Sequence, residues 1–175
     1  MKTINKSPIT TLQIIKPEII RHYYEMKSGE EQFGSVELVN NTGTFALIKT
    51  KQGTFSVKRC GFFKPFVSFR KEKANYDEAR AYLNLEGITQ FTFDNHAFYF
   101  RLINLWKNQW GWTNEKNQII LRYKPTVAGI IKGDVEFSKD FIYLSHIEVI
   151  AMLGIYFLTQ LENEIVQFNE TMIIK

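Results

Sequence analysis

The stretch Ile147-Glu148-Val149-Ile150-Ala151-Met152-Leu153-Gly154-Ile155-Tyr156-Phe157-Leu158-Thr159-Gln160-Leu161 decides how this chain is read. Glu148 is its only charge. At about 100° per residue, Val149, Ile150, Met152, Leu153, Ile155, Tyr156, Phe157 and Leu158 surround a helix axis and leave no polar face. Such a helix is buried on every side, in protein or in lipid. Crossing a bilayer takes about 20 apolar residues, more than this run supplies. The expectation is therefore a helix over 144–164 enclosed by protein. Ser145, with Glu148 three residues on, has capping-box spacing and is the expected N-cap.

Upstream of that helix the chain reads as β-structure. Ile19–Met26, with Ile20, His22, Tyr24 and Met26 on one face, reads as a strand. Phe33–Val39, Thr44–Thr50 and Thr54–Arg59 follow, separated by Asn40-Asn41-Thr42-Gly43 and Lys51-Gln52-Gly53, whose residues suit turns. Phe62–Arg70 continues the pattern, with Pro65 expected at an edge or bulge. Ile88–Phe93 and Ala97–Ile103 form one hairpin, and Trp110–Thr113 and Gln118–Tyr123 another, before a last strand at Ile130–Phe137. Asn75–Glu86 fits a strand, an irregular segment or a short helix. Residues 1–18 are expected to be an extended segment, and the tail at 165–175 is expected to return as a short strand from Gln167. A content of 15 Phe and 8 Tyr suits strands and a packed interior.

Many short strands followed by one wholly apolar helix imply a mainly β fold. A closed sheet has no edges but has an interior to fill. A closed antiparallel β-barrel around a hydrophobic near-C-terminal α-helix meets both conditions, with all 175 residues in a single domain.

This layout resembles the tubby C-terminal-like superfamily, which includes the tubby domain, the LURP-one-related proteins and the phospholipid scramblases. The resemblance rests on the helix at Ile147–Leu161 and on strands that include Phe33-Gly34-Ser35-Val36-Glu37, Phe55-Ser56-Val57-Lys58-Arg59 and Gly61-Phe62-Phe63-Lys64-Pro65. It spans about Ile19 to Glu164. It implies a barrel around the helix and a non-enzymatic binding domain. Its ligand would be an anionic phospholipid or phosphoinositide headgroup, bound by a basic barrel face. By that analogy Lys58, Arg59, Lys64, Arg70 and Lys71 are the candidate ligand-binding residues.

The charge distribution points the same way. Net charge is +4, and Lys58, Arg59, Lys64, Arg70, Lys71 and Lys73 face only Glu72 in their stretch. From Asp140 to Glu170 every Asp, Glu, Lys or Arg is acidic. A basic surface attracts an anionic lipid surface, nucleic acid or an acidic protein, and the plainer reading is a solvated strand face. No aromatic-glycine RNA-recognition motif is present, so nucleic acid ranks low. Trp106, Trp110 and Trp112 lie around Lys107. They read either as an interface for protein or membrane, or as barrel-end packing. The former gives the alternative function, a protein-interaction domain with an aromatic patch.

Motifs for chemistry are sparse. There is no Gly-x-Ser-x-Gly elbow, no His-Glu-x-x-His, no phosphate loop and no Cys pair, so no catalytic residue, metal or cofactor is expected. His22, His96 and His146 read as turn, surface or packing residues. Cys60 reads as a small packing residue, and the acidic pairs Asp77-Glu78 and Glu162/Glu164 as solvated surface. With no signal peptide at Met1–Ile20 and no membrane-spanning run, a cytoplasmic location is expected.

Overall fold

The computed structural model describes residues 11–18, 20–40, 43–61, 64–83, 89–126, 131–142 and 144–173. Twelve strands precede one helix: β1 (Thr11–Ile15), β2 (Tyr23–Ser28), β3 (Glu31–Leu38), β4 (Phe45–Thr50), β5 (Gly53–Cys60), β6 (Phe66–Lys71), β7 (Ala79–Leu83), β8 (Thr89–Phe93), β9 (His96–Asn104), β10 (Gln109–Thr113), β11 (Ile119–Pro125), β12 (Ile131–Phe137) and α1 (Ile147–Ile173). Each strand pairs antiparallel with the next. β1 then pairs with β12, Leu12 opposite Val135, and closes the ring.

Closure on β1 revises the reading of the N-terminal segment. Thr11–Ile15 is a barrel strand, with Leu12 and Ile14 buried between exposed neighbours. Closure also leaves no free edge for a returning tail. The expected strand from Gln167 is replaced by helix, since α1 continues to Ile173. The strand expected at Ile19–Met26 begins only at Tyr23; Ile20, 93% exposed, belongs to the connection after Pro17. Of the readings open for Asn75–Glu86, Ala79–Leu83 is a strand. The helix starts later than expected. The Ile150 N–H donates to the His146 carbonyl, and His146 has a positive φ of 64°. His146, not Ser145, is therefore the residue at the helix boundary.

Odd-numbered strands run toward one end of the barrel and even-numbered strands return, so the eleven connections between strands divide between two ends. α1 enters from the end where β12 finishes, with His146 edge-on to Phe93 at 5.1 Å between ring centroids. At the other end the Gln160 side-chain amide donates to the Gly43 carbonyl in the β3–β4 turn, at 2.9 Å. In between, every residue from Val149 to Leu153 is fully buried, and Tyr156 is too. The helix is thus threaded through the barrel, which explains why it has no wet face.

Two glycines set the fit. Gly34 of β3 admits Met152, whose Cγ lies 2.8 Å from where a Gly34 Cβ would stand. Around the helix, Gly154 admits Tyr123 of β11 and Trp112 of β10. The Tyr123 hydroxyl donates to the Ala151 carbonyl at 2.7 Å, a buried bond between wall and helix. Burial pushes the Tyr123 pKa well above that of an ordinary tyrosine; the Trp112 indole opposes the shift. Inward side chains of β5, β6, β8 and β10 form a run of rings: Phe55 stacks on Phe69 at 4.8 Å, Phe69 meets Phe91 at 5.6 Å, and Phe91 meets Trp112 at 6.0 Å. Phe157 joins Trp112 and Phe100 from the helix. Phe55, Phe69, Phe91, Phe100, Trp112 and Phe157 thus form an aromatic contact layer between wall and helix.

Candidate functional site

Strand alternation sorts the basic run. Val57 on β5 and Val67 and Phe69 on β6 point inward and are buried. Lys58 therefore points outward, beside Ser68, and Arg70 points outward beside Ser56. Both are exposed. Arg59 has the opposite sense. It pairs with Val67 and is half-buried, and its cation bears on Tyr156 of the enclosed helix. Burial raises the Tyr156 hydroxyl to about 12, and Arg59 pulls against that shift. Lys64 is exposed in the β5–β6 turn at the helix-exit end. Lys71 is exposed at the other end of the same hairpin, near Gly53. The five candidates consequently divide between two faces and two ends, and only Lys58 and Arg70 share a patch.

A third cation completes that patch. Arg80 of β7 pairs with Ser68 and so lies outward in line with Lys58. Its guanidinium sits over Phe66 at 5.1 Å, and Phe66 lies 6.3 Å from Tyr82 between ring centroids. Sequence reading passed over Arg80 because it lies outside the Lys58–Lys73 run. The signal was there in Ala79-Arg80-Ala81-Tyr82, where two small residues alternate with an arginine and a tyrosine.

Asp77, read from sequence as solvated surface, organises this face. Its carboxylate accepts hydrogen bonds from Ser68 Oγ at 2.6 Å, Arg70 Nη2 at 3.0 Å and Arg80 Nε at 3.0 Å. The Ser68 bond, then those from Arg70 and Arg80, bring its pKa down to about 2 against desolvation. One carboxylate thus orders two guanidinium groups and cancels one of their charges. Lys58 has no carboxylate partner among the described residues. The result is a net positive outer patch of Lys58, Arg70, Arg80 and Asp77, flanked by the rings of Phe66 and Tyr82.

The tryptophans separate as well. Trp110 and Trp112 are two apart on β10 and share the inward sense. Trp112 is fully buried against Phe157, so it is a core residue and not part of an exposed interface. Trp110 is half-buried, stacks on Phe100 at 5.5 Å and donates its indole N–H to Asn108 Oδ1. Only Trp106, 96% exposed in the β9–β10 turn, is presented to solvent. Barrel packing, the plainer of the two sequence readings, holds for two of the three.

His96 opens β9 and His146 lies below the helix at the same end, while His22 is at the helix-exit end. His96 lines a cleft of about 380 Å³ with Lys116, Glu115 and Phe98. Cys60 is half-buried, and its thiol donates to the Lys58 carbonyl at 3.6 Å. Among the described residues no three or more His, Cys, Asp or Glu gather as a metal site, and no helix is long and apolar enough to cross a membrane.

No family model, curated protein or solved structure matches the chain.

Proposed function

We propose that this is a non-enzymatic binding domain for anionic phosphorylated headgroups, with the outer face of β5–β7 as its site. The observation that carries this reading is the convergence of Lys58, Arg70 and Arg80 on adjacent strands, with only Asp77 to offset them. Guanidinium groups already oriented by a carboxylate are prepared for bidentate contact with phosphate oxygens. Phe66 and Tyr82 offer apolar surface beside them for the ring or glycerol part of a headgroup. The closed barrel around an enclosed helix supports the tubby-like reading from which the headgroup class comes. Arg59, turned inward, plays no part in this site, and Lys64 and Lys71 lie outside it.

The test is co-sedimentation with phosphatidylcholine vesicles, with and without phosphatidylinositol bisphosphate, over a salt series. Expected is salt-sensitive binding to the anionic vesicles, weakened about fivefold by removing each cation in Lys58→Gln and Arg70→Gln. Absence of binding at low salt, or binding indifferent to both substitutions, would refute the proposal.

A further inference from the structure

The two ends of the barrel differ in chemistry. Four of the large apolar side chains that are exposed stand at the helix-exit end: Ile20 at 93%, Val39 at 51%, Leu105 at 73% and Trp106 at 96%. The described turns of that end carry Lys16, Arg21, Lys64 and Lys107 against Glu18, with Arg21 also paired to Glu37 and Glu162 exposed where the helix emerges. Turns at the helix-entry end carry Glu30, Glu72, Asp77, Glu78, Asp94, Glu115 and Asp140 with Lys51, Lys73, Lys116 and Lys139.

Leu105 and Trp106 are consecutive and form the tip of the β9–β10 hairpin. An apolar side chain that far into water is unfavourable, and here the turn is built to hold two of them. The Asn108 N–H donates to the Leu105 carbonyl at 3.1 Å, and Asn104 Oδ1 accepts from the Lys107 N–H at 3.0 Å. Asn108 takes a positive φ of 46° and accepts from Trp110, which is itself stacked on Phe100. The tip is therefore tied to the core by defined bonds.

We infer that the Leu105–Trp106 tip is a membrane anchor, inserted at the interface of an anionic lipid bilayer with Lys107 at headgroup level. Tryptophan favours the water–lipid boundary, and a lysine next to it complements anionic lipid. A bilayer fits better than a protein partner. A protein hot spot is a packed cluster set in a rim, whereas Leu105 and Trp106 stand at the tip of a narrow hairpin. Because α1 continues past the same rim to Ile173, the barrel end cannot lie flat. The barrel meets the surface tilted toward β9–β10. Val39, half-way round the ring, then stays clear of it. This anchor is separate from the β5–β7 face and stands without it.

The test uses phosphatidylcholine vesicles with and without phosphatidylserine, some with brominated acyl chains. Trp106 is the one tryptophan exposed to solvent, so its insertion reads out directly. Expected is a blue shift and bromine quenching with phosphatidylserine vesicles, and roughly tenfold or greater loss of partitioning in Leu105→Ser and in Trp106→Ser. Lys107→Glu should cost fivefold or more, while Val39→Ser and, at the opposite end of the barrel, Tyr76→Ser should leave partitioning unchanged. Circular dichroism of each variant confirms that the barrel is retained. No quenching, or partitioning insensitive to Leu105→Ser and Trp106→Ser, overturns the inference and leaves the tip to a protein partner. Loss on Lys58→Gln with no effect at the tip would instead favour the β5–β7 face as the lipid contact.

Discussion

Replacing Gly154 by alanine would put a methyl group onto the Tyr123 hydroxyl and within 2.6 Å of the Trp112 indole nitrogen. In an ordinary helix the same change is favourable by about 1 kcal/mol, because glycine is the poorer helix former. Here the opposite sign is expected. Overpacking a tight core costs about 1–3 kcal/mol. If the tyrosine moves aside, its bond to the Ala151 carbonyl is lost, and leaving those buried groups unpaired costs about 1–3 kcal/mol more. The net expectation is destabilisation of about 1–5 kcal/mol. For a chain of this size each 1 kcal/mol lowers Tm by about 2–4 °C. Urea and thermal unfolding would measure it. The cause is separable by a second variant: Tyr123→Phe removes the oxygen that meets the new methyl. The double variant should then be less destabilised than the sum of the singles by about 1 kcal/mol or more. A stabilised Gly154→Ala protein, or strict additivity with Tyr123→Phe, would refute the packing of helix against β10 and β11.

Other outcomes follow from the same geometry. Leu153→Asp buries an unpaired charge in the barrel centre and should abolish the native fold at 25 °C, as read by circular dichroism; a folded variant would mean that the helix leaves the barrel easily. Amides from Ile150 to Phe157 should exchange with deuterium only through global unfolding, as slowly as the best protected strands, and faster exchange of the helix alone would oppose its enclosure. Asp77, with its folded pKa depressed to about 2, contributes stability that is full above its unfolded value near 4. That contribution is lost as pH falls from about 4 through 2. In Asp77→Asn the unfolding midpoint should be lower at pH 7 and should change less over that window, which titration at several pH values would show.

The helix could be read from its sequence because burial leaves a plain mark: no polar residue falls on any side of Val149–Leu158. Most strands could be read for a related reason, since inward and outward residues alternate between turns rich in Gly and Asn. The helix end could not. After Gln160 the sequence turns polar, as it must where the helix leaves the barrel, and that change resembles a stop. β1 was legible as extended chain, but its partner β12 lies more than a hundred residues away, and local pattern carries no such pairing. The candidate site suffered from the opposite error. Lys58 and Arg59 are neighbours in sequence, and for that reason they point to opposite faces of the sheet. Arg80 is distant in sequence yet one strand over from Ser68. The same period places Trp110 and Trp112 together on the inside, whereas their closeness to Lys107 suggested a shared surface.

The most direct measurement of the central claim is an NMR titration of the isotopically labelled protein with inositol trisphosphate, a soluble form of the proposed headgroup. Expected are saturable, salt-sensitive shifts centred on Lys58, Ser68, Arg70, Asp77 and Arg80, with the Asn104–Asn108 turn unmoved. Shifts that are absent at low salt, or that centre elsewhere on the barrel, would contradict that claim.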